Sequence, residues 1–110
     1  MKVETPERGD IITANLNPVR GHEQKGLRPL LVVSYADFNA KTGLAVVCPI
    51  TSKIRGSPFE VEVLSKQTTG VVLAHQIKTI DTQARHAMIC DRVSGFCLQE
   101  VIRKIKLIVD

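Results

Sequence analysis

The chain has 110 residues, of which 44% are hydrophobic and 24% charged, and its formal net charge is +4 at pH 7. This composition predicts one globular domain, 1–110, and no apolar run approaches the ~18 residues that a membrane-spanning helix needs. The first residues lack the apolar stretch of a secretory signal, so we expect a cytoplasmic protein with no membrane partner. The basic excess favours nucleic acid as a partner without establishing one.

The first half of the chain predicts two strands and a short helix. Residues 10–16 predict a strand, and a polar loop follows at 17–25. Residues 30–33 predict a buried strand with Pro29 at its start, where no ladder N–H is needed. Residues 36–41 predict one or two helical turns closed by Gly43.

The second half predicts further strands and one longer helix. Residues 44–51 predict a buried strand, and 52–58 form a short basic loop. Residues 59–63 alternate apolar side chains with carboxylates, which is typical of a strand with one buried face. More strands are predicted at 70–76, 78–80 and 87–89. Apolar residues from 98 to 109, including Ile108 and Val109, recur at helical spacing, which predicts an amphipathic C-terminal helix that packs on the sheet. The whole predicts a mostly β, largely antiparallel barrel with appended helices.

Cysteines and standard motifs offer little chemistry. Cys48, Cys90 and Cys97 have spacings that fit neither a disulfide framework nor a zinc ribbon. His86 and Cys90 are four residues apart, but two potential ligands at one spacing make a weak case for a metal. The nucleotide-binding, zincin and serine-hydrolase motifs are absent. We expect no metal and no cofactor, and the reactivity of the cysteines stays open.

The segment at 21–29, Gly-His-Glu-Gln-Lys-Gly-Leu-Arg-Pro, is the most informative one. It offers His22, Glu23 and Arg28 within seven positions, at a loop that leads into a buried strand. Such loops on a rigid scaffold are where catalytic groups concentrate. The alternative is a solvated loop in which Glu23 and Arg28 form a surface ion pair.

Several motifs in order resemble the MazF/PemK family of toxin endoribonucleases. They span residues 8 to 109 and comprise Arg8-Gly9-Asp10-Ile11, Asn17-Pro18 with 21–26, Arg28-Pro29, Cys48-Pro49-Ile50-Thr51-Ser52, Pro58-Phe59-Glu60-Val61, residues 70–81, and Ala84-Arg85 followed by the C-terminal helix. The resemblance implies an SH3-like antiparallel β barrel of the MazF/PemK/CcdB type with an amphipathic C-terminal helix.

The same resemblance implies a function. Family members are growth-inhibiting toxins of toxin–antitoxin pairs, act as homodimers, and cut single-stranded mRNA at specific sequences without a metal. The 2′-hydroxyl attacks the phosphate, which leaves a 2′,3′-cyclic phosphate and a 5′-hydroxyl. A small acidic antitoxin blocks the site, and a toxin–antitoxin heterohexamer is one assembly that this allows.

Residue by residue, the resemblance identifies a candidate site. Arg28 matches the family's catalytic arginine and Thr51 its active-site threonine, while Glu23 and His22 match loop positions of the same pocket. Which of His22 and Glu23 is the base stays open. RNA contacts are expected from Gln24, Lys25, Ser52, Lys53, Arg55, Gln76 and Lys78.

Two positions depart from the family pattern. Leu73 and His75 stand where some PemK-type members carry a catalytic Arg and Asp, so that pair cannot be transferred. His75 and His86 are interpreted as packing or surface residues. Two other functions remain open from the fold alone, namely a non-catalytic, CcdB-like poison of gyrase and an RNA-binding barrel that does not cleave.

Overall fold

The structure is a computed structural model, and it describes residues 4–16 and 26–110. The predicted loop at 17–25 lies outside the described residues. Within them, the elements in chain order are β1 (Asp10–Asn15), β2 (Leu27–Val32), α1 (Ala36–Thr42), β3 (Leu44–Thr51), β4 (Glu60–Glu62), β5 (Val71–Leu73), β6 (Lys78–Asp81), β7 (Met88–Arg92) and α2 (Gly95–Val109). None of the described helices is both long enough and apolar enough to cross a bilayer.

All strand pairs are antiparallel, and β3 connects them. The strands follow the order β4-β5-β3-β2-β1-β7, and β6 also pairs with β3. The first half of β3, residues 44–47, pairs with β6, whereas Ile50 and Thr51 pair with β5. On the opposite edge, residues 47–49 pair with β2. The predicted mostly β, barrel-like fold is confirmed, with strand β3 shared by its two halves.

Alternation along the strands places apolar side chains on both faces of this sheet. One core cluster lies between strands β1–β3, strands β4 and β5, and helix α2. It includes Ile11, Leu31, Cys48, Ile50, Val61, Val72, Cys97 and Val101. The other lies on the opposite face and includes Ile12, Ala14, Leu30, Val32, Ala45, Val47 and Ile80. Each fully buried Val, Leu or Ile side chain contributes roughly 1.5–3 kcal/mol, so the sheet is a rigid base for the loops at its ends.

Strand β2 begins at Leu27, three residues before its predicted start. Pro29 is therefore the third residue of the strand, and the prediction that it opens the strand is wrong. The Val32 carbonyl accepts the Gly9 N–H and so faces the β1 side. Because Pro29 is three positions away, alternation directs its backbone to the opposite side, toward β3. Pairing between β2 and β3 starts only at Leu30, so the missing proline N–H removes no ladder bond.

Three further strands differ in length from their predictions by more than one residue. Strands β4 and β5 each span three residues, because they pair with one another over only three positions. The chain then leaves the sheet in a turn, in which the Gln76 N–H donates to the Leu73 carbonyl over 3.1 Å. Strand β7 runs to Arg92, beyond the predicted 89, because its pairing with β1 continues to Asp10.

The two helices follow their sequence patterns closely. Gly43 closes α1 in the left-handed conformation with φ 73°, as predicted. Helix α2 begins after Ser94, whose hydroxyl accepts the Cys97 N–H over 3.1 Å. The apolar stripe of α2 extends past the sheet, however, so Ile108 and Val109 are 47% and 69% exposed. The expectation that these two residues pack on the sheet is wrong.

A charged contact ties the start of the chain to β7. The Arg92 guanidinium bonds the Asp10 carboxylate over 2.8 Å and the Arg8 carbonyl over 3.1 Å. Gly9 between them has φ 100°, and the same guanidinium lies against it, 3.2 Å from where a Cβ would be. The Arg8-Gly9-Asp10 motif therefore has a structural explanation in this contact.

Asp91 ties the loop between β4 and β5 to β7. Its carboxylate accepts the N–H groups of Gln67 and Thr68 and the Thr68 hydroxyl over 2.9–3.0 Å. Desolvation by burial would raise the pKa of Asp91, but hydrogen bonds from the Arg92 N–H, the Ser65 and Thr68 hydroxyls and the Gln67 N–H outweigh it and lower the pKa to about 2. The carboxylate thus stabilises the fold in its charged form.

We predict that Asp91→Asn lowers the free energy of unfolding by about 1.5–3 kcal/mol at pH 7, since it weakens several charge-assisted bonds. The folded-state pKa of about 2 lies below the ordinary value of 3.8, so this contribution is complete above that value and is lost as the pH falls through 2. Urea unfolding from pH 7 to pH 2 measures it.

The exposed Glu4 provides the control for this measurement. Glu4→Gln should change the stability by less than about 0.5 kcal/mol. A difference between wild type and Asp91→Asn that stays constant down to pH 2 would contradict the role assigned to the Asp91 charge.

Candidate active site

A cleft of about 330 Å³ opens at the C-terminal end of β3. Its lining residues come from the end of β3, the basic loop, the start of β4 and the turn after β5; they are Thr51, Lys53, Arg55, Ser57, Glu60, Leu73, His75 and Gln76. Four of the predicted site residues, Thr51, Lys53, Arg55 and Gln76, are thus brought together. Ser52 is exposed beside them and is not part of the lining.

Thr51 is the last residue of β3 and is held from two sides. Its hydroxyl oxygen accepts the Lys53 N–H over 3.1 Å, which leaves the hydroxyl hydrogen to donate to a ligand. Its backbone pairs with Val71 of β5. Gly70 has φ 121° and lies so close to the Thr51 carbonyl that any Cβ there would collide with that oxygen.

The basic loop at 52–58 is shaped by backbone contacts. The Glu60 carboxylate accepts the Arg55 N–H and the Gly56 N–H, each over 3.0 Å. The Ser57 hydroxyl accepts the Phe59 N–H over 3.1 Å. The Lys104 ammonium of α2 donates to the Pro58 carbonyl at the far end of the loop. These bonds leave the Lys53 and Arg55 side chains facing the cleft.

His75 lies in the turn after β5 and lines the cleft. Its ring is exposed, and its centroid is 5.8 Å from that of Phe59. The interpretation as a surface residue agrees with this exposure, but its place beside Thr51 and Lys53 could not be read from the sequence.

Arg28 is exposed on β2 and does not line the cleft, although the topology puts it at the same end of the sheet. The β2–β3 register pairs Leu30 with Pro49. Extrapolation of this register by two positions, beyond the last observed pair, sets Arg28 opposite Thr51 with both side chains on one face. One guanidinium nitrogen of Arg28 is 3.4 Å from the Leu27 carbonyl.

The remaining predicted residues are placed elsewhere or are not described. Lys78 opens β6 and lines a separate hollow of about 370 Å³ with Thr79 and Arg85. His22, Glu23, Gln24 and Lys25 lie outside the described residues, and their roles remain predictions. Within 4–16 and 26–110, no group of three or more His, Cys, Asp or Glu side chains is arranged to hold a metal ion.

The cysteines are poor nucleophiles in this environment. Cys48 is buried in the core, and desolvation raises its pKa to about 12. Burial also raises the pKa of Cys97. Cys90 is exposed, but partial desolvation and the neighbouring Asp91 charge raise its pKa as well. A thiolate at any of the three is therefore disfavoured at neutral pH.

A larger hollow of about 490 Å³ lies between α2 and Tyr35, away from the end of β3. Its lining is mostly apolar, with the Arg8 guanidinium 4.3 Å from the centre of the Tyr35 ring. It holds none of the predicted site residues, so the smaller, polar cleft is the candidate active site.

Comparisons with known proteins show similarity to one protein family over nearly the whole chain. A family model described as "PemK-like, MazF-like toxin of type II toxin-antitoxin system" matches residues 7–109. The chain is 38% identical over 104 residues to "Endoribonuclease toxin MazF" of Escherichia coli K12, and the match covers 94% of each protein.

Solved structures are similar over almost the whole chain. The crystal structure of MazF from Deinococcus radiodurans superposes with a TM-score of 0.86 at 37% identity, covering 96% of this chain and 97% of that one. A MazE-MazF structure from the same organism gives 0.85 at 33% identity, covering 96% and 97%.

A comparison of three glycines distinguishes the effect of a positive φ from the effect of the close approach between Gly70 and Thr51. Gly95 has ordinary φ and open space, Gly43 has φ 73° and open space, and Gly70 has φ 121° and the collision with Thr51. We predict that Gly95→Ala is neutral or stabilising, that Gly43→Ala costs about 1–2 kcal/mol, and that Gly70→Ala costs more than either. Urea unfolding of the three variants measures this order, and a Gly70→Ala protein as stable as Gly43→Ala would contradict the close approach.

Proposed function

The chain belongs to the PemK-like, MazF-like toxin family of type II toxin–antitoxin systems, and from this membership we propose that it is an endoribonuclease that cuts single-stranded RNA in the cleft at the end of β3. The observation that carries the proposal is the joint presence of the Thr51 hydroxyl and the Lys53 and Arg55 side chains in one polar cleft. Cations bind the phosphates of a single strand, and a hydroxyl donor can orient one of them.

The proposed reaction is transphosphorylation by the RNA itself, without a metal. A base removes the 2′-OH proton, the 2′-oxygen attacks the adjacent phosphorus, and the bond to the 5′-oxygen breaks as that oxygen gains a proton. The products are a 2′,3′-cyclic phosphate and a 5′-hydroxyl. Each step needs only proton transfer and stabilisation of negative charge, which side chains can supply.

Arg28 and Thr51 are assigned to the charge on the phosphate. Guanidinium presents paired N–H donors that match two phosphate oxygens, so Arg28 serves as stabiliser rather than as acid or base. Thr51 donates a hydrogen bond to the same group. The extrapolated register of β2 and β3, which sets the two residues opposite one another, supports this pairing.

Proton transfer is assigned to the loop before β2 and to the turn after β5. With Arg28 as stabiliser, His22 or Glu23 is the base, since the family resemblance implies that both belong to the same pocket. His75 is the candidate acid for the 5′-oxygen, because it lines the same cleft as Thr51 and an imidazole is a side chain that can transfer a proton. Gln24, Lys25, Ser52, Gln76 and Lys78 are proposed to contact the RNA around the scissile phosphate.

We assign two protein partners, both expected in the cytoplasm. One is a second copy of the chain, since Leu27 and Met88 are 57% and 64% exposed at the β1–β2–β7 end of the sheet and give an apolar surface there. Such a dimer would extend the RNA groove past one subunit. The other is a small acidic antitoxin, in line with the MazE-MazF complex of the structural relative and with the basic cleft.

The non-catalytic alternatives, a gyrase poison and an RNA-binding barrel, are less well supported. They rest on the fold alone, and fold does not determine function. The curated relative at 38% identity is named an endoribonuclease toxin, and the cleft holds a hydroxyl and cations suited to phosphate chemistry.

We predict that the purified protein cuts a long single-stranded RNA into discrete fragments in the presence of EDTA. Arg28→Ala should reduce single-turnover cleavage by about 10²–10³, the typical loss on removing a preorganised donor to a developing oxyanion. Arg28→Lys should recover only part, because a point charge cannot make the bidentate contact.

Arg103→Ala is the matched control, since Arg103 pairs with Glu100 on α2 and lines the other hollow; it should cut at the wild-type rate. Circular dichroism checks that each variant is folded. A folded Arg28→Ala protein with wild-type activity would refute the site, and cleavage that stops with EDTA and returns with a divalent ion would refute the metal-independent mechanism.

A further inference from the structure

Glu60 places a carboxylate in a cleft that is proposed to hold a polyanion. It lines the cleft together with Lys53 and Arg55. Simple electrostatics makes an acid at this position unfavourable for RNA binding, because like charges repel across a cleft of this size. Its presence therefore requires a physical reason.

The hydrogen bonds of Glu60 supply that reason. One carboxylate oxygen accepts the Arg55 N–H and the other accepts the Gly56 N–H, each over 3.0 Å. Within the described residues, no ion pair joins Glu60 to Lys53 or Arg55. Both oxygens are thus directed at the backbone of the loop, and the two cationic side chains are not neutralised by this acid.

The backbone of Glu60 is itself fixed by the sheet. Glu60 pairs with Leu73 of β5. The peptide group before it is also bonded, since the Glu60 N–H donates to the Ser57 carbonyl and the Phe59 carbonyl accepts the Ala74 N–H, each over 3.1 Å. Gly56, at the turn of the loop, has φ 80°, a conformation that needs local support. The Glu60 side chain therefore transmits the rigidity of the sheet to the loop.

We propose that Glu60 is a positioning residue, which holds the 53–56 loop so that Lys53 and Arg55 present their charges to the RNA phosphates. This rests on the proposed function of the cleft as an RNA site. A preorganised loop loses less conformational entropy on binding than one that must be ordered by the ligand. The gain from preorganisation outweighs the repulsion, because the carboxylate is already satisfied by two N–H donors.

Charge repulsion and loop positioning by Glu60 predict opposite changes in RNA affinity for the same substitution. Glu60→Gln removes the negative charge but leaves only one acceptor oxygen for the two N–H groups. If charge alone mattered, the variant would bind RNA more tightly. If Glu60 positions the loop, the variant should bind about tenfold more weakly, as expected for the loss of a charge-assisted hydrogen bond.

Glu62→Gln is the matched control. Glu62 lies two residues along the same strand, is exposed, and by alternation points the same way, but it does not line this cleft. It makes the same change of charge without touching the loop. Its affinity for RNA should stay the same or rise slightly.

Binding is measured by fluorescence anisotropy with a 2′-O-methyl copy of an RNA fragment that spans a mapped cut, which cannot be cleaved through its 2′-position. The salt dependence is measured as well. For Glu60→Gln the slope of log K against log[salt] should fall by about 0.7 for each phosphate that the displaced loop no longer neutralises. A loop that is destabilised but still binds in the correct position would not change this slope.

A second readout does not involve RNA. Trypsin cleaves after Lys53 and Arg55, and local opening of the loop controls how fast it does so. Peptide mass spectrometry of limited digests should show faster cleavage at these two bonds in Glu60→Gln than in wild type or Glu62→Gln. If Glu60→Gln does not fold, Glu60→Asp, which keeps both acceptor atoms further from the loop, is tested in the same way.

Weaker binding together with faster loop cleavage supports the proposal. Unchanged or tighter binding by Glu60→Gln overturns it, and so does weaker binding without any change in loop cleavage. If wild type makes no cut that can be mapped, the proposed function fails, and the trypsin rates alone decide whether Glu60 holds the loop.

Discussion

Strand β3 is the constraint on which the structure depends. Its eight residues hydrogen-bond to β2 on one edge and to both β6 and β5 on the other. The change of partner falls at Cys48 and Pro49, between the stretch that pairs with β6 and the stretch that pairs with β5. A proline is tolerated there because, by alternation, the Pro49 nitrogen points toward the gap between β6 and β5, where no strand would accept a hydrogen bond.

This arrangement gives the candidate site its position and its rigidity. Thr51 ends β3 at the point where β5 joins, and Gly70 permits the two backbones to approach so closely. The charged groups of the cleft are then placed by backbone contacts, since Glu60 holds the loop that carries Lys53 and Arg55. The proposed chemistry thus depends on loops, while the sheet determines how these loops face one another.

Local patterns predicted much of this fold from the sequence. The bounds of β3, the Gly43 cap of α1 and the presence of α2 follow from apolar periodicity and from turn chemistry, which depend on neighbouring residues only. The start of β2 and the exposure of Ile108 and Val109 could not be predicted in this way, because they depend on where a partner strand or the sheet ends.

The candidate site was likewise predictable only where it depends on local sequence. Arg28, Thr51 and the basic loop were recognisable in short sequence motifs. The roles of Glu60 and His75 were not, because each depends on a turn after β5 or a loop before β4 folding back to the end of β3. An outward-facing glutamate in an alternating strand gives no local sign that its carboxylate binds the backbone of a neighbouring loop.

The most direct test of the proposed chemistry at the end of β3 is single-turnover RNA cleavage by Thr51→Val, which keeps the shape of the side chain and removes only the hydroxyl. The account predicts that the folded variant binds RNA with nearly wild-type affinity but cuts it roughly 10–100-fold more slowly, as expected for the loss of one hydrogen bond to a charged group, and that Thr51→Ser restores most of the rate. A Thr51→Val protein that cuts at the wild-type rate would contradict it.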